Sequence, residues 1–382
     1  MQYVRMNTSA EPSRGADLRA KSKGPLSGLK VIEFAGIGPA PFACMLLADL
    51  GADVVTIARP TYRSAGPKDV VGRGRTLLIA DLKDEIQKRM VLELAGYADV
   101  AVEGFRPGVM ERLGLGPEKL LTQNKRLVYA RMTGWGQTGP LAHSAGHDLN
   151  YIAITGALAA IGTEKTGPIP PLNLVGDYGG GSLYLVVGIL AAVRESERNG
   201  LGQVVDASIV DGVNHLMSNA MGRSARGTFE EESYTNLLDG SHPYYRCFKT
   251  ADNQFIAIGA IEPQFFAELC QRINLPIELW NAQHDKSRWD LLSKSLEEIF
   301  TSKTRAEWIE ILERTDACFA PVLSLSEATR HHHNVQREGF IIIDGVVQPA
   351  PAPRFSRTPG RVKNSAPIEA AAFESVLSSW RS

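Results

Sequence analysis

The order of β-rich and helix-patterned segments at the start of the chain limits its fold more than any other feature. LKVIEFAG from Leu29 is a short β-rich run ending in glycine. IGPAPFACMLLADLGA has helical spacing and stops at Gly51, and DVVTIARP is a second strand. A strand, turn, helix, strand opening predicts a doubly wound, Rossmann-like α/β domain. The series continues with RTLLIADL, a helix through IQKRMVLELAGYA, the strand DVAVEGF, a loop RPGVMERLG and the strand LVYARMTG. Its first turn holds Gly36 and Gly38 as a dinucleotide fingerprint would, but Pro41 stands where the third glycine belongs. That partial match is weak support for NAD.

Further along, Ser182 reads as an N-cap for LYLVVGILAAVRESERN and Gly200 as its stop, with GQVVDASIVDGV as the last strand and turn of this domain. The expected division is a disordered leader over 1–24, a large domain over 25–218, a linker over 219–235, a small α+β domain over 236–330 and a C-terminal return over 331–382. The small domain opens with a hairpin, YYRCFKTADNQFIAIGA, and continues into a helix with Pro263 at its first position. Glu262 therefore sits at the mouth of a helix N-terminus, where dipole pairing alone accounts for an acid. His331, His332 and His333 are read as solvated, because consecutive residues do not easily converge on one metal.

Composition removes several functions. With 41 basic and 42 acidic residues the net charge is −1, so no global field points to nucleic acid or a membrane surface. Cys44, Cys247, Cys270 and Cys318 are scattered, which fits a reducing cytosol and argues against disulfides or a zinc site. The apolar run LYLVVGILAAV falls short of the roughly 20 residues of a membrane span. A soluble, cytoplasmic protein is expected.

The stretch from Arg131 to Gly181 carries the chemistry. His147 with Asp148, and Asp177, stand in small, glycine-dense surroundings, where glycines suggest close backbone approach to a ligand. A His and an Asp are residue types able to take a proton from one carbon and return it. The plainer reading makes Asp148 a helix cap before LNYIAITGALAA, and Asp177 part of a loop capping the next helix. Arg59, Arg106 and Arg112 fall at or beyond strand ends, the edge of an open α/β sheet that binds ligands, and suit anionic phosphates.

Taken together, GLKVIEFAGIGPAPFACMLLADLGADVV, EGFRPGVMERLGLGP, YARMTGWGQTGP, AGHDLNYIA, PPLNLVGDYGGGS, GQVVDASIVDG, AIEPQF and PAPRFSRTPG resemble the family III CoA-transferase superfamily, and within it most closely the α-methylacyl-CoA racemases. The likeness runs in order from about Pro25 to about Gly360. It implies an interlocked homodimer, a Rossmann-like domain built from both ends of the chain, and CoA in place of NAD. It also implies CoA contacts from Arg59, Arg106 and Arg112, proton transfer by His147, with its neighbour Asp148, and by Asp177, and support from Glu262. No metal and no separate cofactor are implied, since CoA is part of the substrate.

Chemistry agrees with that implication. Racemising a 2-methylacyl-CoA needs two groups flanking a planar enolate, and histidine and a partly desolvated carboxyl group can serve as base and acid. Glu262 would orient His147, and N–H groups of the turn at Asp177 would stabilise the enolate oxygen. A transferase using Asp177 as nucleophile is the rival. It is disfavoured by the His147–Asp148 pair and by a small-domain segment, LDGSHPYYRCF, with only Gly240. A third reading, a nucleotide-binding protein without catalysis, would make His147 and Asp177 incidental. Branched fatty acyl, bile-acid and 2-arylpropionyl groups all stay open as substrates, within lipid metabolism.

Overall fold

The computed structural model describes residues 24–381, so the expected leader, Gly24 apart, lies outside the described residues. Strands covered on both faces must be apolar along their whole length rather than alternating. That is what β1 (Lys30–Phe34), β2 (Asp53–Ala58), β3 (Arg75–Ile79), β4 (Val100–Glu103), β5 (Val128–Thr133) and β6 (Val204–Ser208) largely show. They form one parallel sheet in the order β3-β2-β1-β4-β5-β6, so the winding direction reverses between β1 and β4. Around it lie α1 (Pro39–Asp49), α2 (Glu85–Ala95), α3 (Val109–Arg112), α4 (Asp148–Ala153), α5 (Leu183–Asn199) and α6 (Ile209–Leu216). The loop RPGVMERLG thus contains a helix, and the turn expected after β6 is α6, which follows the strand without a gap.

The chain divides into two compact units. The first holds the described residues up to Tyr151, then Asn173–His215, then the chain from Glu338 onward; the second holds Ile152–Leu172 and Leu216–Arg337. Two expected boundaries therefore move. Residues 152–172, read as large-domain, belong to the second unit, and the return begins at Glu338, not His331. Composition shifts mark neither point, because both crossings occur in ordinary mixed sequence.

The second unit has a three-stranded antiparallel sheet, β7 (Tyr245–Lys249), β8 (Phe255–Gly259) and β9 (Phe319–Pro321), in the order β9-β8-β7. The turn between β7 and β8 closes with Asn253 at φ 57°, a conformation that asparagine tolerates. Packed on the sheet are α7 (Pro263–Arg272), α8 (Trp289–Phe300) and α9 (Arg305–Leu312), around a core that includes Phe266, Leu296, Phe300 and Trp308. A reciprocal capping box between Thr304 and Glu307 starts α9.

Beyond the second unit, a hairpin of β10 (Phe340–Ile343) and β11 (Val346–Pro349) turns at Asp344-Gly345, both with positive φ. The chain then runs beside the parallel sheet, with Gly74 N–H donating to Asn364 O (2.9 Å) and Ala371 N–H to Leu77 O (2.8 Å). It ends in α10 (Phe373–Arg381), whose Val376, Leu377 and Trp380 join the core of the first unit. Trp380 Nε1 donates to Asp53 Oδ2 (2.8 Å), and Lys30 Nζ donates to Trp380 O (2.5 Å).

Candidate active site

Asp177 does not sit in a loop. Leu174–Ser182 is a π-helix that runs straight into α5, giving one continuous helix, Leu174–Asn199, of 26 residues. By length and composition it could cross a bilayer, a property hidden when LYLVVGILAAV is measured alone. Its glycines explain how it is held. A Cβ on Gly212 of α6 would lie 1.8 Å from Gly180 O, one on Gly180 would lie 2.5 Å from Val213, and one on Gly188 would lie 2.7 Å from Val205 of β6. The glycine density expected to admit a ligand thus, at Gly180, admits neighbouring protein. Ser182 is no N-cap: it is helical, and its hydroxyl donates to Pro39 O (2.7 Å) and Asp177 O (2.9 Å). Gly200, at φ 77°, does end α5.

That anchoring brings Asp177 to the entrance of α1. Gly38, the residue before Pro39, has φ 74°, and a Cβ there would stand 3.3 Å from Asp177 Oδ2. Only glycine combines this backbone angle with that approach. Beside it, Tyr178 stacks on Phe42 with ring centroids 4.1 Å apart.

His147 is the residue before α4, and its side chain is exposed. Its carbonyl accepts the N–H groups of Asn150 (2.8 Å) and Tyr151 (3.2 Å), while its own N–H donates to Asn150 Oδ1 (3.0 Å). His147 therefore occupies the capping position, with Asn150 reaching back as the third residue of a capping box would. Asp148, offered as the cap, does something else. Its Oδ2 accepts Asp177 N–H at 2.6 Å. Its Oδ1 is buried and makes no hydrogen bond among the described residues. Of the N–H groups proposed for the enolate oxygen, that of Asp177 is thus already taken, and Tyr178 N–H donates to Asn173 O (3.2 Å).

The two carboxyl groups are electrostatically linked. Burial raises Asp148 above its ordinary value. Burial, then the Asp148 charge, raises Asp177, against a hydrogen bond from Asn173 and the proximity of His147. Tyr151 is raised by burial and then by Asp177, with Arg106 opposing. Its ring fills the space left by Gly134 and Gly146, edge-on to Trp135, and its hydroxyl donates to Gly146 O.

Arg106, Trp135, His147, Asn150 and Tyr151 line one cleft of about 320 Å³. A second, of about 340 Å³, runs along Gly36–Gly38, Tyr62, Asn173 and Tyr178. Arg59 follows the end of β2 directly, and Arg112 is the last residue of α3, its guanidinium folded toward Gly108. Since β2 and β4 flank β1, the strands leading to Arg59 and Arg106 are two spacings apart, about 10 Å. The structure thus brings together His147, Asp148 and Asp177, puts Arg106 in the cleft of His147, and leaves Arg59 and Arg112 exposed at the same sheet edge. Glu262 belongs to the second unit, where it precedes Pro263 at the start of α7 without capping it. Sequence reasoning missed Asn150, Asn173, Tyr151 and the role of Gly38. For Asn150 a signal existed, an amide side chain three residues after a helix-start position.

A parallel α/β sheet with a histidine and two coupled carboxyl groups at one site defines the class, and residues 26–370 match CoA-transferase family III: the chain belongs to that family. It is 44% identical over 336 residues to the alpha-methylacyl-CoA racemase of Mus musculus, covering 87% of each chain. To the acetyl-CoA:oxalate CoA-transferase of Acetobacter aceti it is 33% identical over 356 residues, 86% of this chain and 89% of the other. A crystal structure of a CAIB/BAIF family protein from Brucella suis matches with a TM-score of 0.79 at 25% identity, covering 94% of this chain and 99% of that one.

Proposed function

We propose that this chain is a racemase that interconverts the two enantiomers of 2-methylacyl-CoA thioesters. The observation that carries the reading is Asp177: a carboxyl group held above its ordinary value by burial and by Asp148, beside a histidine. Such a group retains its proton closer to neutrality and can return one to carbon. In one direction His147 removes the α-proton and Asp177 protonates the opposite face of the enolate; in the other they exchange roles. Greater identity to a racemase than to a transferase, 44% against 33%, supports the same choice.

Arg59, Arg106 and Arg112 bind the CoA phosphates and adenine, and Glu262 orients His147. With the Asp177 amide committed to Asp148 and the Asn150 and Tyr151 amides to the His147 carbonyl, the enolate oxygen falls to other donors, and the N–H groups of Asp148 and Leu149 at the start of α4 are candidates. The active form is a cytoplasmic homodimer with a Rossmann-like large domain, working on acyl-CoA in lipid metabolism. The long Leu174–Asn199 helix serves as a packing element of that domain, in keeping with its glycine contacts.

One enantiomer of a 2-methylacyl-CoA, incubated with the protein in D2O without a second acid, tests this. Deuterium uptake at the α-carbon with loss of configuration is expected, and His147→Ala should slow exchange of at least one enantiomer by about 100-fold or more. No exchange, with CoA passing to an added carboxylate, would replace the racemase by a transferase with Asp177 as nucleophile.

A further inference from the structure

The run His331-His332-His333, read as solvated, is not uniformly so. Neighbouring side chains on a regular helix or strand diverge, but here a short helix begins between the first two. His331 is extended (φ −61°, ψ 129°) and His332 is the first residue of the helix His332–Gln336. Their rings consequently lie side by side, with centroids 4.7 Å apart and planes tilted by 34°. Both address one carboxylate. His331 Nε2 lies 3.0 Å from Glu313 Oε1, and His332 Nδ1 lies 3.8 Å from Glu313 Oε2.

We propose that Glu313, His331 and His332 form a binding site for a divalent transition metal of the zinc type. One ligand atom from each residue can be chosen so that all lie within 4.8 Å of one another. Around a tetrahedral zinc with bonds of about 2.1 Å, ligand atoms stand about 3.4 Å apart, between the two histidine–glutamate distances observed. Two imidazoles and one carboxylate favour zinc, cobalt, nickel or copper over magnesium or calcium.

The surroundings suit a cation. Glu313 is the C-cap of α9, where the helix dipole is negative. Side-chain exposures of 20% for Glu313, 21% for His331 and 40% for His332 leave room for water to complete the coordination. An ordinary histidine–glutamate hydrogen bond would account for His331. It leaves unexplained why a second imidazole stacks on the first and approaches the same carboxylate. The site lies wholly within the second unit and shares no residue with the proposed racemase site.

Calorimetric titration of the full-length, tag-free protein with Zn2+ at pH 7.5 tests it. One zinc per chain is expected. His331→Gln and His332→Asn each retain an N–H donor for Glu313; each should weaken binding at least tenfold, and the double variant at least 100-fold. His333→Asn should leave it unchanged. On the wild-type protein, Zn2+ should protect His331 and His332 from diethyl pyrocarbonate, read by peptide mass spectrometry. Undiminished affinity in the double variant, or zinc protection of other histidines instead, would overturn the proposal.

Discussion

Asp148 accepts the amide of Asp177, which holds its carboxyl group beside the group assigned to donate a proton. Asp148→Asn keeps an acceptor oxygen but removes the charge. Asp177 should then fall toward its ordinary value, moving the corresponding limb of the kcat/KM pH profile to lower pH and reducing activity at pH 7 by on the order of tenfold. Asp177 also bears on stability. A carboxyl group raised in the folded state costs nothing below its unfolded pKa, about 3.9, and its full cost is felt above the folded value. Asp177→Asn should therefore raise Tm at pH 7.5 by roughly 1–3 °C, with the gain shrinking toward pH 4. His147 and Asp177 were legible as residue types able to move a proton. Asn173 was not, because its role depends on which carboxyl group the fold places within reach, whereas Asn150 could have been read from its spacing after His147.

The helix bearing Asp177 shows the limit of periodicity. GDYGGG reads as a loop because glycine disfavours helices and its run carries no side-chain pattern. Close packing against α6, whose Gly212 lies over the Gly180 carbonyl, outweighs that propensity. Gly180→Ala should then cost more than an ordinary overpacking substitution, about 3 kcal/mol or more, because its Cβ would meet Val213 at 2.5 Å with backbone close behind. Urea denaturation measures this; a loss under 1 kcal/mol would mean that the two helices are free to separate. The parallel strands, by contrast, were readable one by one, since burial on both faces writes each as an apolar run.

Across the whole first unit, charge is buried inside the sheet as well as at its edge. Glu33 on β1 takes hydrogen bonds from Thr56 on β2 (2.5 Å) and from Arg75 Nε on β3 (2.6 Å), and both members of the ion pair are almost fully buried. The same carboxylate, after burial itself, pushes the Cys44 thiol upward. Glu33→Gln would strand the Arg75 charge and should lower unfolding free energy by about 3–5 kcal/mol, measurable by chemical denaturation. None of this was visible from the sequence, where an isolated Glu in KVIEF carries no sign of its partner 42 positions away. The unit boundaries were equally hidden, since they depend on where the chain goes and not on its composition.

The bond between Lys30 and Trp380 joins residues 350 positions apart. A ribosome adding about 5–20 residues per second takes roughly 20–70 s to travel that distance. For all of that time the surface beneath Val376, Leu377 and Trp380, among the first parts of the sheet to be made, has no cover of its own. The nascent chain therefore carries an exposed apolar face throughout that interval, and its yield in a cell depends on how well that face is shielded until Phe373–Arg381 leaves the exit tunnel.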